Sequence, residues 1–129
     1  MKNIESTFRA LSDGTRLRIL GILGGGETCV GDLVEVLNVS QPVASRHLAY
    51  LRRAGLVEVR RQGLWAFYSV ASAAGALGTQ VLACVDACIQ ESELMAADQV
   101  RIAELRAGGG CCPLQLATGE QPKEAACRK

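Results

Sequence analysis

The sequence predicts a mostly α fold with a β-hairpin wing, a winged helix-turn-helix, and three observations predict it. A short apolar segment, Gly31 to Leu37, is followed by the tight-turn pair Asn38-Val39 and then by an arginine-bearing amphipathic segment that opens at Ser40. Two runs of β-branched and aromatic residues, Leu56-Val57-Val59 and Trp65-Phe67-Tyr68-Val70, flank Gln62-Gly63 as a hairpin requires. Between residues 41 and 62 five arginines stand against one glutamate, in a chain whose net charge is only +1. Positive charge is therefore gathered where the backbone of duplex DNA would lie.

Each element has its own signals. Phe8, Leu11, Leu17, Ile19, Leu20, Ile22 and Leu23 populate two N-terminal helices, divided at Ser12-Asp13-Gly14 and closed by Gly24-Gly25-Gly26. The Ser40 hydroxyl can accept from the free N–H groups of the next helix, and Pro42 falls in its first turn, where no N–H is missed. Val43, His47, Leu48 and Leu51 recur at three- and four-residue steps and form the inward side. Gln41, Ser45, Arg46, Arg52 and Arg53 fall elsewhere and remain available to a partner, so this is the helix that enters the major groove. Gly55 ends it. Arg60 and Arg61 are placed at the tip of the ribbon, against phosphate oxygens. The DNA-facing set is thus Ser40, Gln41, Ser45 and Arg46 on the helix, with Arg60, Arg61 and Gln62 on the wing.

From about 73 to 106 the sequence reads as one long helix, with Leu77, Val81, Cys84, Cys88, Met95 and Ile102 along an apolar stripe. In so small a domain that stripe needs a partner, and a twofold homodimer would use it together with the first helix. The same symmetry sets two recognition helices on successive major grooves. Asp86, Glu91, Glu93, Asp98 and Glu104 are read as the solvated face of the long helix. The predicted order is four helices, two strands and a fifth helix. Residues 1–107 form the DNA-binding and dimerisation domain, and Gly108-Gly109-Gly110 opens a flexible cysteine-containing tail, 108–129.

Composition narrows the function. With 49% hydrophobic but 4% aromatic residues, the core is aliphatic and the chain fits one compact unit. The start, MKNIESTFRALSD, has no signal-peptide form and no run is long enough to span a bilayer, so a cytoplasmic location without membrane contact is expected. In a reducing compartment six cysteines are thiols available for soft-ion or redox chemistry rather than a disulfide framework. No Cys-x-x-Cys, Ser-His-Asp or phosphate-binding glycine pattern occurs, so an enzyme is not expected.

The segments DGTRLRIL at 13–20, ETCVGDL at 27–33, SQPVASRHLAYLRRAGLV at 40–57 and RRQGLWAFYSV at 60–70 resemble the ArsR/SmtB family of bacterial metal-responsive repressors. The similarity covers roughly residues 3 to 105, with Gly14 where the family often has proline. The resemblance implies a homodimer that sits on operator DNA, blocks transcription and releases when a metal or metalloid binds. One departure from the family pattern means that its usual arsenic site cannot simply be transferred here. Arsenite-responsive members carry Cys-Val-Cys-Asp-Leu-Cys before the recognition helix, where this chain has Cys29-Val30-Gly31-Asp32-Leu33-Val34 and retains only the first thiol.

The adjacent pair Cys111-Cys112 carries the stronger signal, because vicinal thiols grip a soft ion with little reorganisation and As(III) takes three sulfur ligands. Some arsenite-responsive relatives place an adjacent cysteine pair near the C-terminus. Cys127 supplies the third thiolate in this reading, across a pliable loop, with Cys88, Cys84 and Cys29 as alternatives. Cys84 and Cys88 lie one helical turn apart and are read as packing residues, or else as a pair for a trivalent organoarsenical. The lone His47 lies on the inward side of its helix, which excludes imidazole-rich zinc sensing. The expected function is an arsenite-responsive repressor with As(III) as inducer. Antimonite, an organoarsenical, cadmium or an oxidant or persulfide are alternative signals, and a soft-metal carrier that ignores DNA is the reading from another class.

Overall fold

Nine segments of regular structure follow one another in the computed structural model, which describes residues 2–110. Two helices, α1 (Lys2–Leu11) and α2 (Gly14–Leu23), lead to a two-residue strand, β1 (Thr28–Cys29). Helices α3 (Val30–Leu37) and α4 (Gln41–Arg53) form the helix-turn-helix, and β2 (Val57–Gln62) and β3 (Trp65–Val70) form the wing. Helices α5 (Gly75–Glu91) and α6 (Glu93–Ala107) complete the described chain. Cys111, Cys112, Cys127 and almost all of the tail read over 108–129 lie outside the described residues.

The helix boundaries obey local rules. Asp13 caps α2 by accepting from the Arg16 N–H at 3.1 Å, and Ser40 caps α4 by accepting from the Val43 N–H at 3.4 Å, with Pro42 in the first turn. Between α3 and α4 the chain turns through Asn38 in the left-handed region, φ 56°, a conformation that asparagine tolerates better than most residues. Ile19, Leu20, Ile22 and Leu23 of α2 are wholly buried at the centre, with α3, α4, α5 and α6 packed around them.

The sheet differs from a bare hairpin. It has three antiparallel strands in the order β1-β3-β2, with Cys29 opposite Phe67 and Arg60 opposite Phe67 from the other side. A two-residue strand leaves almost no periodic signal, so β1 could not be read from the sequence.

The long helix expected from 73 to 106 is two helices. Ser92 adopts extended backbone, φ −126° and ψ 119°, and its Oγ accepts from the Met95 N–H at 3.2 Å, capping α6. Buried positions recur at three- and four-residue steps within each helix, Gly78, Val81 and Val85 on α5 and Met95, Asp98 and Ile102 on α6. That shared spacing explains the single-helix reading. The chain instead turns at Ser92, and α6 packs back on α2 and α3. One expectation changes: Asp98 is buried rather than on the solvated face, while Cys84 is exposed on the single chain.

Asp98 is neutralised by Arg18 of α2, whose Nε and Nη2 donate to its two carboxylate oxygens at 2.8 and 2.9 Å. The carboxylate hydrogen bonds raise the Arg18 guanidinium above its ordinary value, against the opposing effect of burial. Two more arginines of α6 reach the helix-turn-helix. Arg101 donates to the carbonyls of Glu35 and Val36 at 2.9 and 2.7 Å, at the end of α3, where helix carbonyls lack internal partners. Arg106 donates to the Gly26 carbonyl at 3.1 Å and to Thr28 Oγ1 at 2.7 Å, just before α3 begins. Helix α6 therefore braces α3 at both ends.

Candidate nucleic-acid interface and the thiol positions

The outer face of α4 is polar because its apolar residues are used inward. Ala44, Leu48 and Leu51 are buried, whereas Ser40, Gln41, Ser45, Arg46, Arg52 and Arg53 are exposed. His47 is half-buried, with Nδ1 3.4 Å from Arg16 Nη1 and 4.0 Å from Asp13 Oδ1, so it belongs to the packing between α2 and α4. Arg16 also stacks over the Tyr50 ring at 4.1 Å.

Gln41 and Ser45 of α4 share a concavity of about 310 Å³ with Arg61, Leu64 and Trp65 of the wing. A groove edge or a phosphate approaching this hollow would meet the recognition helix on one side and the wing on the other. Arg46 lies exposed on α4 beside it. The wing turn is at Gly63-Leu64, since Gln62 pairs with Trp65, and Leu64 is 92% exposed. Gly63 has φ +61°, which the tight connection requires.

Arg60 and Arg61, read together as tip residues, have different surroundings. Arg61 is exposed and borders the concavity. Arg60 donates from Nε and Nη2 to the two carboxylate oxygens of Glu27 at 2.9 and 2.8 Å, donates to Gln62 Oε1, and stacks over Phe67 at 4.7 Å. The Arg60 hydrogen bonds hold the Glu27 carboxyl below its ordinary range. Glu27 sits two residues before Cys29, so this pair ties the wing to the segment that enters α3. Sequence reading missed that tie, because nothing local connects residues thirty-three positions apart. Trp65 Nε1 is buried and has no hydrogen-bond partner among the described residues.

The cysteines among the described residues fall in two places. Cys84 and Cys88 are free on α5, and Cys88 lines an apolar cavity of about 570 Å³ between α2, α5 and the start of α6. Cys29 is fully buried at the N-cap of α3 and is disulfide-bonded. Among the described residues no group of three or more His, Cys, Asp or Glu could hold a metal ion. Gly110 rests against α3, where a Cβ built on it would lie 2.7 Å from Asp32 Oδ2. Among the described residues no helix is long and apolar enough to cross a membrane.

A helical core carrying a basic recognition helix and a wing defines a DNA-binding transcriptional regulator of the winged helix-turn-helix class. The chain belongs to the arsR family of bacterial regulatory proteins, whose family model matches residues 13–59. It is 39% identical over 104 residues, 76% of each chain, to the arsenic resistance transcriptional regulator ArsR1 of Pseudomonas putida KT2440. Among solved structures, reduced HlyU from Vibrio cholerae is 33% identical with a TM-score of 0.61, covering 71% of this chain and 90% of that one. The homodimeric winged helix-turn-helix domain Mb0332 from Mycobacterium bovis is 31% identical with a TM-score of 0.59, covering 70% and 81% respectively. The family consists of regulators rather than enzymes.

Proposed function

We propose that this regulator is an arsenite-responsive repressor, acting as a homodimer on operator DNA in the cytoplasm and releasing it when As(III) binds cysteine thiolates. The Cys111-Cys112 pair supplies two ligands and a third thiol completes the set. The observation that carries the reading is the approach of the chain at Gly110 to Asp32 in the first turn of α3. The next two residues in sequence are the vicinal thiols. Its similarity to an arsenic resistance regulator supports the same inducer.

For the dimer, support comes from outward apolar residues on α1, with Ile4 44% and Phe8 53% exposed, and from the homodimeric relative. DNA contacts are assigned to Ser40, Gln41, Ser45 and Arg46 of α4 and to Arg61 and Gln62 of the wing, with Arg60 orienting the wing through Glu27. An oxidant-responsive regulator is the second reading, favoured by the disulfide at Cys29.

The test is fluorescence anisotropy of labelled DNA from the gene's own upstream region, titrated with reduced protein and then with arsenite, antimonite, cadmium, zinc and peroxide. Release by arsenite is the expected result. Release by peroxide alone selects the second reading, and an absence of DNA binding by reduced protein refutes both.

A further inference from the structure

We infer that Leu64, at the tip of the wing, makes an apolar contact with the sugars that wall the minor groove of the operator, a part of the DNA interface that the charged residues do not supply. This rests on the DNA contacts assigned above to α4 and the wing, and extends them to the turn between β2 and β3.

Three observations carry it. First, the tip is apolar. Gln62 pairs with Trp65, so the connection is the two residues Gly63 and Leu64, and Leu64 brings the only side chain of the turn. Second, that side chain takes almost no part in the protein's own packing. Leu64 is 92% exposed, against 59% for Val100, the next most exposed large hydrophobic residue among those described. Single exposed leucines are common, so position has to decide the matter. Third, Leu64 borders the hollow of about 310 Å³ that Gln41 and Ser45 of α4 share with Arg61 and Trp65 of the wing. It is therefore continuous with the recognition face.

The shape of a duplex supplies the occupant. Its two grooves are separated by one sugar-phosphate strand. With α4 in the major groove, a strand lying across the hollow meets Gln41 and Ser45 on one side and Arg61 on the other, and the wing tip beyond it stands over the minor groove. That groove is about 6 Å wide, and aliphatic side chains enter such grooves in other DNA-binding proteins. Charge around the tip suits the same partner, since Arg46, Arg52 and Arg53 are exposed on α4 and Arg61 on the wing. Arg61 contributes by displacing counterions from phosphate, an effect that salt weakens. Leu64 contributes by leaving water, so its share of the affinity does not follow that salt dependence.

The test is binding of full-length reduced protein to labelled DNA from the gene's own upstream region, as wild type, Leu64→Ala and Leu64→Met. Anisotropy across a salt series reads affinity, and hydroxyl-radical footprinting reads protection of the minor-groove sugars. Leu64→Ala is expected to bind about tenfold more weakly with an unchanged slope of log affinity against log salt, and to lose protection of the sugars that flank the recognition-helix contacts. Leu64→Met keeps an apolar side chain of similar volume and should retain both. Wild-type affinity with an unchanged footprint in Leu64→Ala overturns the inference. So does weaker binding with a shallower salt slope, because the tip would then act only by positioning Arg61. A weaker dimer in sedimentation with an unchanged footprint assigns the tip to a contact between copies and overturns it too. Wild-type protein that binds no DNA overturns the DNA-contact assignment itself, and this inference with it.

Discussion

Replacing Asp98 with alanine removes the only carboxylate that contacts the Arg18 guanidinium in the described residues, and the size of the effect follows from burial. Asp98 is 2% exposed and Arg18 17% exposed, so the cation left behind has little access to water. Breaking a buried pair from one side costs about 3–5 kcal/mol, and the residual exposure of Arg18 puts the expected loss near the lower end, about 3 kcal/mol. Urea unfolding followed by circular dichroism is the assay, at fixed protein concentration because dimerisation shifts apparent stability. With a urea slope of about 1–3 kcal/mol per molar, the midpoint should fall by about 1 M or more. Replacing both partners with leucine should recover most of the loss, since no charge then stays buried. A loss below about 1 kcal/mol for Asp98→Ala would place the pair with surface ion pairs and refute the reasoning.

Other perturbations test other links. Arg61→Ala should lower the slope of log affinity against log salt by about 0.9 for each phosphate lost, whereas Arg60→Ala should chiefly alter the wing, seen as shifted β2 and β3 amide resonances; equal salt slopes for the two variants would remove the distinction. Glu27 titrates below its ordinary range because of Arg60, so its contribution is present above the unfolded-state pKa and is lost as pH falls through the lower folded value. NMR titration of the Glu27 carboxyl should therefore show a midpoint below that of an unpaired glutamate, and Arg60→Ala should restore it. Gly78→Ala should destabilise by about 1–3 kcal/mol, because the new Cβ would lie 2.6 Å from Ala74 Cβ, although helix propensity alone favours alanine; thermal melting gives the sign. Ser92→Ala should cost about 1 kcal/mol through loss of the α6 cap, and unchanged stability would show that packing alone sets the turn.

The helix-turn-helix was legible because its signals are local. Ser40 with Pro42, the Asn38 turn, and the inward spacing of Leu48 and Leu51 each act within a few residues and the structure uses each as read, while the hairpin turn falls one residue later, at Gly63-Leu64. The break at Ser92 had a local signal too, a serine followed by Glu93 in a first turn, but the shared spacing of apolar residues on either side concealed it. The Glu27–Arg60 and Arg18–Asp98 pairs join residues 33 and 80 positions apart and had no such signal.

What the sequence by itself determined is the identity of the DNA reader: periodicity, capping residues and turn chemistry operate within one or two turns of chain and need no tertiary partner. What only the tertiary structure decided is where α6 goes, which arginine of the wing is tied to Glu27, and that Gly110 returns to the first turn of α3 at Asp32. Those outcomes depend on burial and on charges brought together across the core, and a chain reveals them only once it has folded.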